Sequence, residues 1–338
     1  MKNILIIRLS AIGDVVFASP LIQALRRTYP EAKISWLVES AAAPLLRQNK
    51  ALNEVIVWPK GEWKQLWRER KFLTLWRAYQ RFKKEFRARQ FDTVLDLQGL
   101  MKSAVWARAS GAETRIGLGS KEKSEHMMTR VISRQGDSPR IGSEYYALAQ
   151  ELALDVADFE MDIALCAEDE SFPSNTIKLK AYAVVCPFTT RPQKHWLEMR
   201  WPELIHRIQT EQQLPVVMLG GPADVAAAER IVAECDGVIN LVGQSSLTQT
   251  AAVIKHSSLL VGVDTGLTHM GIAFSVPTVA LFGSTCPYSE TTRDNAVVLY
   301  HKMACSPCRR SPTCEGDFTC MKKITVDEVV ETIERVRL

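Results

Sequence analysis

Two stretches of the chain each begin with a buried strand, a short polar loop and a helix, and this repeat constrains the fold more than any other feature. The first stretch predicts a strand over Asn3–Ile7, a turn over Leu9–Asp14 and a helical segment over Val15–Thr28. A second strand follows over Lys33–Val38. Such a start is typical of a parallel, doubly wound sheet, whose ligands bind beyond the carboxyl ends of the strands.

The pattern restarts after a polar segment near the middle of the chain, where residues 167–180 show no apolar periodicity. The later strands are predicted at Tyr182–Cys186, Val216–Leu219, Val238–Leu241, Leu259–Val263 and Thr278–Phe282, with helices between them. A length of 338 residues suits two domains of about 150 residues each. We therefore predict an α/β protein with an N-terminal domain over 1–166, a linker over 167–180 and a C-terminal domain over 181–338.

Charge and hydropathy narrow the class of protein. The chain has 42 Lys and Arg residues against 38 Asp and Glu residues, a surplus too small to indicate nucleic acid as a partner. No apolar run approaches the roughly 18 residues of a membrane span, so we expect neither a span nor a signal peptide. A dinucleotide-dependent oxidoreductase is disfavoured because the first loop lacks the Gly-x-Gly-x-x-Gly pattern.

Three loops after predicted strands carry residues suited to chemistry. In the first loop, Asp14 stands at the start of a helix, where a carboxylate either caps the helix or faces a ligand. In the loop over 187–196, two threonines and Lys194 form either a phosphate cradle or a solvated loop. After Leu259–Val263, the run from Asp264 to His269 places a helix start beside small residues, which favours a diphosphate site; a cap and a core histidine are the alternative.

Four motifs in this order resemble glycosyltransferase family 9, the ADP-heptose:lipopolysaccharide heptosyltransferases with the GT-B fold. The motifs are Ile7-Arg8-Leu-Ser10-Ala-Ile-Gly13-Asp14-Val15, Asp96-Leu-Gln98-Gly99-Leu-Met-Lys102-Ser103, Thr189-Thr190-Arg191-Pro-Gln-Lys194-His195-Trp196 and Val263-Asp264-Thr265-Gly266-Leu267-Thr268-His269. The resemblance covers essentially the whole chain and is greatest to the members that add the first heptose. It implies two Rossmann-like, doubly wound lobes facing a central cleft.

The resemblance also implies a role for each site residue. Asp14 is the expected catalytic base. The expected donor-binding residues are Thr189, Thr190, Lys194, Asp224, Asp264, Thr265, Gly266 and His269. The expected acceptor-binding residues are Arg8, Ser10, Gly13, Lys60, Lys64, Gln98 and Arg115. Asp224 follows a Gly-Gly-Pro run that forms either a ribose contact or a plain turn.

The implied function is inverting, metal-independent transfer of heptose from ADP-L-glycero-D-manno-heptose to the Kdo and inner-core region of lipopolysaccharide. No Asp-x-Asp pair is present to hold a metal on the nucleotide sugar, so no cofactor is expected. The implied partners are the donor, a Kdo-lipid A or inner-core acceptor and the cytoplasmic face of the inner membrane. A second-heptose transferase, another family 9 sugar transferase, a sugar-nucleotide epimerase or hydrolase, and a lipid-binding scaffold remain as alternatives.

Two further segments stand apart from these motifs. Residues 58–89 hold eleven basic and three acidic residues with four interleaved tryptophans, which indicates either an ordinary charged helix surface or a site for anionic lipid or acceptor phosphates. Near the C-terminus, Cys305, Cys308, Cys314 and Cys320 form a possible structural zinc site, free thiols or disulfides. This cysteine segment departs from the pattern of the first-heptose transferases and resembles the tails of second-heptose members.

Overall fold

The computed structural model describes residues 1–120, 122–134, 139–308 and 311–337, which form two compact units. Unit 1 comprises Met1–Asp137 and Gly142–Ala164, and unit 2 comprises Ser138–Ile141 and Leu165–Leu338. Each unit contains a parallel six-stranded sheet with helices, as the two strand-helix-strand starts predict. No helix in these described ranges is both long and apolar enough to cross a bilayer.

Unit 1 has its sheet in the order β3-β2-β1-β4-β5-β6. Its strands are β1 (Asn3–Ile7), β2 (Lys33–Glu39), β3 (Glu54–Trp58), β4 (Thr93–Asp96), β5 (Thr114–Leu118) and β6 (Arg130–Ile132). Its helices are α1 (Ile12–Ala18), α2 (Pro20–Thr28), α3 (Lys60–Arg68), α4 (Phe72–Ala88), α5 (Met101–Ala109) and α6 (Ser143–Glu151), with 3₁₀ turns at Ala43–Leu45 and Ser124–Met127. From β1 the chain adds β2 and β3 on one side of the sheet, and it then adds β4, β5 and β6 on the other side of β1. The strand order therefore reverses between β1 and β4.

Both faces of the unit 1 sheet are buried, which explains the continuous apolar run of β1. Ile4 and Ile6 pack on one side with α2 and α6, while Leu5 and Ile7 pack on the other with Phe86 of α4 and with α5. The helical segment predicted over Val15–Thr28 is two helices, because Pro20 lacks a backbone N–H and begins the second helix as its first residue.

Unit 2 repeats this arrangement with the order β12-β11-β10-β7-β8-β9. Its strands are β7 (Ala183–Cys186), β8 (Val216–Met218), β9 (Ile239–Asn240), β10 (Leu259–Val263), β11 (Thr278–Phe282) and β12 (Ala296–Tyr300). Its helices are α7 (Ala167–Thr176), α8 (Arg200–Glu211), α9 (Val225–Val232), α10 (Leu247–Lys255), α11 (Gly266–Ala273), α12 (Thr319–Lys322) and α13 (Val326–Val336), with 3₁₀ turns at Pro192–Lys194 and Pro222–Asp224. Strand order reverses between β7 and β10.

The segment predicted as an irregular linker contains a helix, α7, which packs against α10 within unit 2. Three acidic residues in its first turn complement the positive end of the helix dipole. Glu170 from that turn bonds Lys255 and, at 2.7 Å, the imidazole of His256. Because these contacts are tertiary and the helix buries little apolar surface, the hydrophobic periodicity of the sequence does not reveal it.

Candidate active site

In unit 2, the loops that follow β7 and β10 meet where the strand order reverses, the place at which doubly wound sheets bind ligands. Cys186 at the end of β7 lies opposite Gly262 of β10, so both chains leave the sheet at the same edge. The hydroxyl of Thr189 donates a hydrogen bond of 3.1 Å to the backbone carbonyl of Asp264. This bond joins the two loops that the sequence predicts to hold the donor.

The Asp264 carboxylate is the centre of this site and has three partners. Its Oδ2 lies 2.6 Å from Nζ of Lys194 and accepts a hydrogen bond from the Thr285 hydroxyl, and its Oδ1 lies 3.3 Å from Nε2 of His269. Burial by itself raises the pKa of Asp264, but the hydrogen bond and charge of His269, followed by Lys194, lower it well below its ordinary value. The predicted donor residues Thr189, Lys194, Asp264 and His269 therefore form one connected group.

Three members of the group escape sequence reasoning. Thr285 and Tyr288 follow β11, and the Tyr288 hydroxyl lies 2.7 Å from Nδ1 of His269, which fixes the orientation of that imidazole. Burial raises the pKa of Tyr288 well above its ordinary value. His195, which belongs to the third motif but is not among the expected donor-binding residues, has its Nε2 2.8 Å from the Thr189 carbonyl. The position of Thr285 at the carboxyl edge of the strand beside β10 was the available signal.

The amino end of α11 adjoins the Asp264 carboxylate. Thr265 directly precedes the helix and Gly266 is its first residue, so the free N–H groups of this helix start beside the group. The Thr268 hydroxyl donates to the Val263 carbonyl at 2.6 Å and fastens the helix to the strand. A Cβ at Gly262 would collide with that hydroxyl, which explains the glycine within the strand.

Asp224 and Thr190 are less closely tied to this group. Asp224 follows β8, and its Oδ2 accepts a hydrogen bond of 2.8 Å from the Gly221 N–H. That contact closes a tight turn, which was one of the two sequence interpretations. Gly220 of the same turn packs against the Phe188 ring, so the turn adjoins the loop that carries Thr189. Thr190 is exposed in that loop.

In unit 1, Asp14 lies in the first turn of α1, after the loop that follows β1. Its Oδ2 accepts a hydrogen bond from the Ala11 N–H at 2.9 Å and lies 2.6 Å from Nη2 of Arg8. Within the described ranges, no residue bonds Oδ1, and the side chain is 38% exposed. The cap contact predicted from the sequence is present, and it leaves one carboxylate oxygen available to a ligand.

The Arg8 guanidinium holds Asp14 from a buried position. Its Nη1 donates to the Leu97 carbonyl at 2.9 Å, so it bridges the loops after β1 and β4 at the point where the strand order reverses. Burial lowers the pKa of Arg8, but the nearby Tyr145, Asp14 and Glu144 outweigh burial and raise the pKa. Arg8 therefore remains a cation and fixes the direction of the Asp14 carboxylate.

Gln98 and Ser10 join Arg8 at this edge of the sheet. Gln98 accepts a hydrogen bond of 2.8 Å from the Leu9 N–H, and its amide nitrogen lies 3.4 Å from Oγ of Ser10. The loop is shaped by Asp96, whose Oδ1 accepts the Gln98 N–H at 3.0 Å. Gly13 lies in α1, one residue before Asp14. These predicted acceptor residues are thus neighbours.

The predicted lysines and Arg115 are placed differently. Lys60 lies 3.0 Å from Glu39 at the end of β2, and Lys102 from α5 contacts the same carboxylate oxygen at 3.0 Å. Lys102 also lies 3.3 Å from Oγ of Ser10, which makes it a site neighbour that the residue predictions did not include. Lys64 is exposed on α3. Arg115 lies near the amino end of β5, away from the ligand edge, and its guanidinium donates to backbone carbonyls, including that of Met127 at 2.9 Å.

The four C-terminal cysteines have unequal environments. Cys305 is exposed, Cys308 and Cys314 are half-buried, and Cys320 is buried. All four are free thiols. In the part of the chain that the structure describes, no three His, Cys, Asp or Glu side chains are grouped to hold a metal ion, and the structural zinc site at these thiols stays a prediction.

Known proteins that are similar to this chain are heptosyltransferases. The sequence model of Glycosyltransferase family 9 (heptosyltransferase) matches residues 79–318. Lipopolysaccharide heptosyltransferase 1 of Pseudomonas aeruginosa is 30% identical over 324 residues, which are 92% of this chain and 87% of that protein. Lipopolysaccharide core heptosyltransferase OpsX of Haemophilus influenzae is 26% identical over 90% of this chain and 86% of its own length.

A solved structure gives the same result for the fold. The E. coli heptosyltransferase WaaC with ADP-2-deoxy-2-fluoro heptose matches with a TM-score of 0.77 and 24% identity, over 98% of this chain and 99% of that one. The predicted fold class, two Rossmann-like units of the GT-B type, is confirmed.

Proposed function

Because the chain belongs to glycosyltransferase family 9, and is thus a glycosyltransferase, we propose that it transfers heptose from ADP-L-glycero-D-manno-heptose to the Kdo and inner-core region of lipopolysaccharide. The reaction is an inverting single displacement without a catalytic metal. The names of both curated relatives support this donor and acceptor class, and the E. coli structure holds an ADP-heptose analogue.

The observation that carries the proposal is the connected group around Asp264 in unit 2. Lys194 has three N–H donors, and its contact with Asp264 at 2.6 Å uses one of them. The other two, with the N–H groups at the start of α11, suit the oxygens of a diphosphate. Asp264 and His269 then position this cation and the helix start. The free N–H donors of Lys194 and of the helix start then stabilise the ADP leaving group as it becomes more negative.

Asp14 of unit 1 is the proposed base. Two donors fix its Oδ2, which leaves Oδ1 to accept the proton of an acceptor hydroxyl. That hydroxyl oxygen forms a bond to the anomeric carbon while the bond from this carbon to the ADP oxygen breaks, and the proton passes to Asp14. Arg8 contributes orientation, because it holds the carboxylate from a buried position.

In this proposal, protein groups and not a metal ion stabilise the negative charge of the departing ADP. The sequence has no Asp-x-Asp pair, and the Asp264 carboxylate of the described donor site already has Lys194, Thr285 and His269 as partners. Lys194 and the N–H groups at the start of α11 remain as donors for phosphate oxygens. Metal independence is therefore part of the proposal, and ADP binding in EDTA tests it.

The acceptor is proposed to bind along the ligand edge of the unit 1 sheet. Arg8 contacts Asp14, Ser10 and Gln98 contact each other in the loops that Arg8 bridges, and Lys60 and Lys102 add positive charge beside Glu39. Kdo carboxylates and lipid A phosphates are anionic groups that such side chains bind. Because this acceptor is a lipid, we place the enzyme on the cytoplasmic face of the inner membrane, with no nucleic acid partner.

An acceptor panel tests the proposal. Purified protein is incubated in EDTA with ADP-heptose and either Kdo-lipid A or an acceptor that already carries one heptose, and the products are identified by mass spectrometry. A gain of one heptose on Kdo-lipid A supports first-heptose transfer. A gain on the heptosylated acceptor alone would assign the second heptose instead. Donor hydrolysis or isomerisation without transfer to either acceptor would contradict the proposal and indicate a hydrolase or epimerase.

A further inference from the structure

The basic, tryptophan-rich segment of unit 1 forms a helical hairpin whose base and tip have opposite environments. At the base, Trp63 of α3 packs between Phe82 of α4 and Trp106 of α5, with ring centroids 5.7 Å and 5.9 Å away. Trp58 contacts the same Trp63 ring at 6.3 Å. Two of the four tryptophans in this segment therefore belong to the core, as the ordinary interpretation predicts.

The tip of the hairpin instead exposes four large apolar side chains within ten residues. Trp67 is 63% exposed, Phe72 51%, Leu73 75% and Trp76 60%. Trp67 and Phe72 pack edge to face at 5.2 Å across the turn, so they form one surface. Other exposed large apolar side chains in the described ranges lie singly along the chain. An exposed apolar cluster of this kind marks an interaction surface. We call these four residues the apolar tip.

Helix periodicity shows why the tip has no partner within unit 1. Phe72 and Trp76 lie on the same face of α4 as Tyr79 and Phe86, because these positions recur every three to four residues. The carboxyl half of this face packs on the core, where Phe86 is fully buried. Phe72 and Trp76 in its amino half are exposed, so the same apolar face continues there without a surface of unit 1 to cover it.

Basic side chains surround the apolar tip. Residues 60–77 contain six basic and two acidic residues, although the whole chain is nearly balanced in charge. Lys64, Arg68, Arg70 and Arg77 form no side-chain ion pair with any residue in the described ranges, and Lys71 pairs with Glu69 at 2.7 Å. Tryptophan beside unpaired Lys and Arg is the composition that favours the headgroup region of an anionic bilayer.

We propose that the apolar tip inserts into the acyl boundary of an anionic bilayer, with the surrounding basic residues on its phosphates. The inference extends the proposed function, because a lipid acceptor lies in such a bilayer. Insertion of the tip differs from simple electrostatic adsorption, because insertion requires Trp67 and Trp76 to enter the apolar layer of the bilayer. The occupant is a lipid surface and not a second copy of the chain.

Vesicle binding tests this inference on the full chain. The probes are vesicles of phosphatidylethanolamine and phosphatidylglycerol, with and without brominated acyl chains, which quench tryptophan fluorescence only on contact. Wild type is expected to sediment with these vesicles and to be quenched by bromine. The double variant Trp67→Ser/Trp76→Ser should bind about tenfold or more weakly and lose most of the quenching, because it removes the two largest inserted side chains. The variant Met199→Ser is the control, since Met199 is 78% exposed in unit 2, and it should bind as wild type does.

Three results would overturn the inference: unchanged binding by the double variant, wild-type binding without bromine quenching, or a wild-type dimer in sedimentation that the double variant abolishes. The last would assign the apolar tip to self-association. As a control, calorimetry measures the Kd for ADP of the double variant. A value equal to that of wild type shows that unit 2 is folded. Transfer to an acceptor without acyl chains tests the proposed function separately, and the double variant should retain that activity.

Discussion

Replacement of Lys194 by alanine is expected to weaken ADP binding without unfolding unit 2. The ammonium lies 2.6 Å from Oδ2 of Asp264 in a site where the two side chains are 18% and 9% exposed, so its hydrogen bonds are formed with little competition from water. One hydrogen bond to a charged group contributes about 1.5 to 3 kcal/mol, which corresponds to a roughly ten- to 150-fold rise in the Kd for ADP.

The cost to stability follows from the groups that remain around Asp264. Loss of one partner from a buried ion pair destabilises by about 3 to 5 kcal/mol when no other partner remains. Here His269 still lies 3.3 Å from Oδ1 and the Thr285 hydroxyl still donates to Oδ2, so we expect a loss of about 1.5 to 3 kcal/mol. Unit 2 should therefore remain folded at room temperature.

Isothermal titration calorimetry with ADP in EDTA measures this effect, with urea unfolding for stability. Lys255→Ala is the matched control, because it removes the same charge and a carboxylate contact within unit 2 but lies on α10 beside Glu170. The reasoning is refuted if Lys194→Ala binds ADP as tightly as wild type. It is also refuted if Lys255→Ala loses as much affinity, or if wild type binds ADP only with Mg²⁺.

Two further predictions concern acid stability and thiol reactivity. The folded state lowers the pKa of Asp264, so the ionised carboxylate stabilises the fold. This stabilisation is complete at pH values above the pKa of the unfolded chain, about 3.9. As the pH falls below that value, the stabilisation is lost by up to about 1.4 kcal/mol per pH unit. The stability difference between wild type and Asp264→Asn should therefore shrink below about pH 4 in urea unfolding, and a difference independent of pH would contradict this. Among the four C-terminal cysteines, iodoacetamide should modify exposed Cys305 first and Cys320 last, because Cys320 is buried and burial raises its pKa. Zinc held by all four thiols would instead protect Cys305 as well, and mass spectrometry of the peptides distinguishes the two.

The central strands of both sheets were predictable from the sequence, because they are buried on both faces and consist of continuous apolar runs. β1, β10 and β11 have the predicted bounds. The group of Thr189, Lys194, Asp264 and His269 was predictable for the same reason, since each follows a recognisable strand and parallel strands share one ligand edge.

Other features depend on tertiary contacts that periodicity does not encode. Helix α7 is held by Glu170 contacts to α10, and Thr285 reaches Asp264 only because β11 lies beside β10. The hairpin of α3 and α4 combines a buried base with an exposed tip, so the interpretation as an ordinary charged helix surface describes only the base. The resemblance implied Arg115 as an acceptor contact, but its position near the start of β5 places it away from the ligand edge.

The central claim is that Asp14 removes the acceptor proton while unit 2 holds the donor independently. The most direct test is kcat of Asp14→Asn for transfer from ADP-heptose to Kdo-lipid A in EDTA, at saturating substrates. Asparagine keeps the shape of the side chain and can still accept the Ala11 N–H through its carbonyl, but it has no basic oxygen. We predict a loss of about 10²- to 10⁴-fold in kcat, with the Kd for ADP and the melting temperature close to those of wild type. A kcat within a few fold of wild type, together with a lower melting temperature, would show that Asp14 only caps α1 and would contradict the account.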